Sequence, residues 1–190
     1  MEILKPTFQR KPLNINRREF TTSVMFGVAA GVIAAIAERA DALATGGNAT
    51  PLGYINTYMW ILIAAALFGP IGAIITTEIQ AILSLITFAN PLSWLWPFIN
   101  FIFALAAGLT FIGITKLKPK LGIKTKLTLM SLVCAFLDIP LVYVVLVTVL
   151  GLPFAAYLTV LPMYLILQLI PSTILAFIIV KAILRSKILG

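Results

Sequence analysis

From Phe20 onward the chain alternates between long apolar runs and short breaks of glycine, proline and polar residues. Each run is rich in leucine, isoleucine, alanine and valine, and none alternates apolar and polar with the period of two that marks a half-buried strand. The runs predict helices over 20–40, 54–68, 71–88, 94–115, 127–150 and 157–184. Between them stand Gly46-Gly47 with Pro51, Gly69-Pro70, Asn90-Pro91, Pro119 with Gly122, and Gly151 with Pro153, residues that end or turn helices. A helix needs about 20 apolar residues to cross a bilayer. Most runs meet that length; 54–68 is short, and 157–184 is long and carries Pro162 and Pro171, which predict a kink. The fold expected is all-α: a polytopic membrane protein with a six-transmembrane-helix bundle.

Charge fixes the expected topology. Lys5, Arg10, Lys11, Arg17 and Arg18 precede the first run; Lys116, Lys118, Lys120, Lys124 and Lys126 surround the fourth break; Lys181, Arg185 and Lys187 end the chain. The remaining loops have almost no basic residues, and Arg39 stands beside Glu38 and Asp41. With six spans all three clusters fall on one side, so the positive-inside rule predicts both termini in the cytoplasm of a multi-pass plasma-membrane protein. One domain is expected over 1–190, with a basic tail over 1–18 and the bundle over 19–185. Arg17-Arg18-Glu19-Phe20, an apolar stretch and Ala42-Leu43-Ala44 also resemble a twin-arginine signal with a cleavage site. Removing that segment would spoil the charge pattern, so the arginines are read as an interfacial anchor.

Composition agrees: 61% of the 190 residues are hydrophobic, 11% are charged, and the mean hydropathy is +1.09. Lipid, not water, is the expected solvent. The net charge of +8 is accounted for by the three clusters, so no nucleic-acid partner is expected. Histidine is absent and the single cysteine, Cys134, lies in an apolar run, where a structural role is expected. With no metal-ligand cluster and no G-x-x-x-x-G-K-[ST] loop, neither a cofactor nor an ATPase activity of this chain is expected. Asn48-Ala49-Thr50 matches a glycosylation sequon ahead of Pro51.

Glu78 and Asp138 are the two acids placed deep in the apolar runs. A carboxylate at that depth costs several kcal/mol, so such residues face protein and are functional candidates. Without a basic partner they favour a cationic or donor-rich small ligand. Thr76, Thr77, Gln80, Ser84 and Thr87 form a polar stripe, and Glu78 lies about 200° from Gln80 around the helix; the sequence leaves open which face lines a site. Trp94, Trp96, Tyr54, Tyr58, Trp60 and Tyr157 form either an interfacial belt or a stacking wall for a planar ring. Asn100, Tyr143, Tyr164 and Gln168 are candidate hydrogen-bonding groups. In the first run Gly27, Gly31 and Ala35 share one stripe and Ala30 and Ala34 a neighbouring one. This small-residue spacing serves internal packing or partner docking.

The size, the six-helix layout, that stripe and the segment Leu67-Phe68-Gly69-Pro70-Ile71-Gly72-Ala73 resemble the substrate-binding S-components of energy-coupling-factor vitamin transporters. Gly72-Ala73, Glu78 and Asn90-Pro91 are spaced as in the subgroup for thiamine or its hydroxymethylpyrimidine precursor, although a second acid of that subgroup is replaced by Ser84-Leu85. The resemblance implies that Glu78 meets an aminopyrimidine. It also implies that the helix 1 stripe docks a transmembrane coupling subunit working with two ATPase subunits, and that the loop after helix 1 closes over the vitamin. The alternative is a structural or assembly subunit of a larger membrane complex. A proton-coupled carrier is less favoured because no inverted repeat is evident, and a membrane enzyme least of all.

Overall fold

The computed structural model describes residues 15–46, 50–87 and 92–186. Lys5, Arg10, Lys11, Gly47, Asn48, Phe88, Asn90, Pro91 and Lys187 lie outside them. The described chain is a bundle of helices, five of them long and apolar enough to cross a membrane: Arg17–Thr45, Pro51–Ile86, Ser93–Leu117, Ile123–Val149 and Phe154–Ser186. An all-α membrane protein is the architecture that follows.

Helix α1, Arg17–Thr45, begins earlier than its apolar pattern predicts because Asn16 caps it. Asn16 Oδ1 accepts from Glu19 N at 2.8 Å, and Glu19 Oε2 accepts from Asn16 N at 3.0 Å, a reciprocal pair that satisfies two orphan amides. Arg17 and Arg18 therefore lie in its first turn. It ends where Gly46 adopts φ 64° and its amide returns to Ala42 O.

Helix α2, Pro51–Ile86, joins the predicted run 54–68 and the predicted run 71–88, as far as Ile86, in one element interrupted at Gly69 (φ 72°, ψ −167°), which Pro70 follows. A straight helix would hold residues 57 and 80 about 35 Å apart. Instead Gln80 Nε2 donates to Thr57 Oγ1 at 2.7 Å, so the element doubles back and its arms, 51–68 and 70–86, run antiparallel. Gly69 supplies a backbone conformation nearly closed to other residues, and Pro70 removes an amide where the helical ladder is already broken.

α1 packs against both arms. Thr76 Oγ1 donates to Ser23 O (3.0 Å) and Asn56 Nδ2 to Ala30 O (3.2 Å). Cβ atoms built on Gly27 and Gly31 would lie 2.7 Å from Ile79 Cβ and 2.6 Å from Leu83 Cδ1. Residues 61–66 of the first arm are buried on every side, which makes that arm the centre of the bundle and explains its unbroken apolar sequence.

Helix α3, Trp96–Leu117, follows a short 3₁₀ turn at Ser93–Leu95. It runs antiparallel to the second arm: Asn100 Nδ2 donates to Thr77 O (3.3 Å), and Gly108 lies against Pro70. Helix α4, Ile123–Tyr143, widens into π turns over Val144–Val149 after Pro140. Helices α5, Phe154–Leu167, and α6, Thr173–Ser186, are joined by π turns at Gln168–Ser172. Pro171 leaves the carbonyl of Leu167 without its helical donor, and Ser172 Oγ supplies one at 2.9 Å. The predicted kink is this π segment.

These contacts, with Ser172 Oγ donating to Ile55 O (3.2 Å) just before α6 begins, place the start of α1, the Gly69 turn, the α3–α4 connection and the end of α6 at one end of the bundle. Lys126 Nζ donates to Thr115 Oγ1 (3.2 Å) there. Glu38 and Asp41 lie at the other end, in the last turns of α1.

Candidate functional site

Tyr54 and Tyr58 are four residues apart on α2, so their side chains share one face. Both phenols donate to the carboxylate of Asp138 on α4: Tyr58 to Oδ1 at 2.7 Å and Tyr54 to Oδ2. Gln168, at the head of the π turns, completes the shell. With its nitrogen toward Asp138 Oδ2 (2.5 Å) and its oxygen accepting from Ala135 N (3.1 Å), both ends of the amide are satisfied. Asp138 and Gln168 are buried. Three separate elements thus meet at one carboxylate, and with the Gln168 amide assigned in this orientation its hydrogen-bond partners among the described residues are all neutral.

The cluster has an aromatic flank. The Tyr54 ring stacks on Tyr164 of α5 (centroids 4.4 Å, 25° between planes) and tilts against Tyr58 (4.6 Å). Tyr58 in turn meets the edge of Phe103 at 5.0 Å. Tyr54 and Tyr164 are only partly buried, so the stack forms the accessible side and Asp138 the enclosed side. Cys134, one turn before Asp138, is fully buried with Sγ 3.9 Å from Phe103 O, in the structural role expected of it.

Of the residues expected to form a site, Asp138, Tyr164 and Gln168 come together. Asn100 is buried but ties α3 to α2 through Thr77 O. Trp94 is half exposed. Tyr143 is partly exposed and packs edge-on against Tyr157 and Phe154 (5.4 and 6.2 Å).

Glu78 stands apart. Its helical face is shared by Ile82 and Leu85, both exposed on the outside of the bundle. Its Oε1 is buried without a hydrogen-bond partner among the described residues. The polar stripe on the opposite face points inward: Thr76, Thr77, Gln80 and Ser84 are buried, and the bonds of Thr76 and Gln80 hold helices together. In α1, Gly27, Ala30, Gly31 and Ala34 are buried and Ala35 partly so. Gly27 and Gly31 pack on the second arm of α2, so the stripe serves internal packing.

From the sequence, Tyr54 and Tyr58 belong to an interfacial belt or a stacking wall, not to the shell of a carboxylate. Their i, i+4 spacing signals a shared face, but not that the face meets Asp138, 80 residues away. No protein-family model, no curated protein and no solved structure matches this chain.

Proposed function

We propose that this protein binds a small planar, cationic or donor-rich molecule in the membrane, as the substrate-specific S-component of an ATP-driven vitamin uptake system. The best candidates are thiamine and its hydroxymethylpyrimidine precursor. In this reading the bundle crosses the membrane six times, because the doubled α2 counts twice. The basic end, with Arg17, Lys120 and Arg185, faces the cytoplasm, as does each terminus. A coupling subunit and two ATPase subunits would supply the energy. Since the α1 stripe is covered by α2, docking would use other, lipid-exposed surface.

The observation that carries the reading is the Asp138 cluster. A buried carboxylate whose partners are all neutral retains negative potential, and the partly exposed Tyr54–Tyr164 stack beside it matches the face of a planar ring. A ligand would part the stack, insert its ring and present an amino group to Asp138 in place of the Tyr54 hydroxyl. Glu78, half-buried on a face shared with Ile82 and Leu85, takes no part in the hydrogen bonds of Asp138.

Native mass spectrometry of the full chain tests the reading, with thiamine and hydroxymethylpyrimidine titrated after any co-purified ligand is recorded. A one-to-one adduct in the wild type, lost in Asp138→Asn, is the expected result. A different bound vitamin would keep the family and discard the subgroup. No adduct across a broad vitamin panel, from a folded monodisperse sample, would overturn the reading in favour of a structural subunit.

A further inference from the structure

A second acidic group lies beyond the stacked tyrosines. Asp41 is 2% exposed and clamps the start of α2: Oδ1 accepts from Leu52 N at 3.1 Å and Oδ2 from Gly53 N at 2.8 Å. These are orphan amides of a helix N-terminus, and their dipole favours the anion. Glu38, one turn earlier on α1, is 4% exposed, yet its Oε2 is buried with no hydrogen-bond partner among the described residues. Both side chains converge on Gly53. A Cβ built there would lie 2.7 Å from Glu38 Cγ and 3.6 Å from Asp41 Oδ2, so glycine gives Glu38 the room to reach this place. The adjacent Arg39 is exposed. Asp41 has a structural task that accounts for its burial; the free oxygen of Glu38 has none.

The two acidic groups are linked through the first turn of α2. Gly53, which Glu38 and Asp41 both approach, is followed by Tyr54, which donates to Asp138 and whose ring stacks on Tyr164. An acid therefore lies on each side of Tyr54.

We infer that Glu38, beside the Asp41 clamp, receives a fixed positive charge on the ligand, while Asp138 receives the ligand's amino group on the other side of Tyr54. This rests on the reading above and extends it, assigning a two-headed planar cation as the substrate class. A buried carboxylate oxygen with no donor is costly to keep, and an organic cation offsets that cost without the ligand number a metal demands. The partner is an organic cation; an inorganic ion is an outcome of the test.

Two probes separate the ends of the site. Thiamine carries an amino ring and a fixed charge; hydroxymethylpyrimidine carries the amino ring alone. Affinities are measured by titration of the purified full chain. Glu38→Gln is expected to weaken thiamine binding about tenfold or more, corresponding to 1.4 kcal/mol per factor of ten, and to leave hydroxymethylpyrimidine binding unchanged. Asp138→Asn is expected to weaken both, and Glu38→Asp, which keeps the charge, to retain part of the preference for thiamine. If Glu38→Gln weakens neither ligand, or both equally, the inference is overturned and the Asp138 reading stands. If the wild type binds neither, the Asp138 reading fails and the two-headed substrate falls with it; thermal unfolding in tetramethylammonium against sodium chloride at equal ionic strength then decides only the cation site at Glu38. Stabilisation by tetramethylammonium that Glu38→Gln removes supports it; equal stability in the two salts, or a preference for sodium, overturns it.

Discussion

At the scale of single residues, Asp138 shows how a membrane interior can tolerate a carboxylate. Each hydrogen bond to a charged group contributes about 1.5–3 kcal/mol, and Asp138 accepts from Tyr54, Tyr58 and Gln168. Tyr58→Phe removes one such bond while preserving the ring against Phe103, so a loss of about 1–3 kcal/mol is expected in thermal or denaturant unfolding in detergent. An unchanged midpoint would mean that the phenol does not stabilise the carboxylate. Glu78→Gln is expected to change ligand affinity less than twofold, because its side chain shares an outer face with Ile82 and Leu85; loss of binding in that variant would return the site to the second arm of α2. The importance of Asp138 was legible in the sequence because an acid in an apolar run is conspicuous. Its partners were not, because a phenol in an apolar run looks the same whether it faces lipid or a carboxylate. Glu78 is equally conspicuous, but only its depth along the helix can be read from the sequence; its facing depends on which neighbours arrive.

Helix existence was legible at the scale of elements, since apolar runs and glycine–proline breaks mark spans directly. The ends were less so, because caps such as Asn16–Glu19 and the clamp of Asp41 on Leu52 and Gly53 extend helices beyond their apolar patterns. The π turns at Gln168–Ser172 were visible only as prolines, since where a freed carbonyl finds a donor depends on tertiary placement. Three glycines separate the physical reasons for using the residue. Gly69 has φ 72° with open space at its Cβ position, so Gly69→Ala is expected to lose about 1–3 kcal/mol through backbone strain alone. Gly108 is helical, but a Cβ there would lie 2.3 Å from Pro70 Cα. Backbone cannot yield as a side chain can, so Gly108→Ala is expected to disrupt α3 packing and lower the yield of folded protein. Gly113 has open space and an ordinary helical backbone; Gly113→Ala is expected to be neutral or stabilising by up to about 1 kcal/mol. Unfolding midpoints of the three variants check the order. A Gly113→Ala protein less stable than Gly108→Ala would contradict the assigned α2–α3 contact.

For the whole molecule the central question is how many times the chain crosses the membrane, and the doubled α2 makes it testable. If α2 turns back at Gly69, residues 44 and 120 are separated by an odd number of crossings and lie on opposite faces. If α2 crossed once as a continuous helix, the number would be even and both would lie on the same face. The native cysteine is buried, and Cys134→Ala provides a background for reporters at the exposed positions Ala44 and Lys120. In intact cells a membrane-impermeant maleimide is expected to label Ala44→Cys and not Lys120→Cys; inverted vesicles are expected to give the reverse. Labelling of both from the same side would contradict the hairpin despite the bond between Gln80 and Thr57. Opposite labelling with Lys120→Cys outside would keep six crossings but invert the molecule, placing Glu38 and Asp41 in the cytoplasm. The orientation matters for function because the acidic end is where a cation would first meet the protein. Facing outward, that end draws cations toward the Tyr54–Tyr164 stack before the enclosed Asp138 engages them, a sequence suited to capture from dilute surroundings. Facing inward, the same order of contacts would suit retention or export, and an uptake role would no longer follow from the geometry.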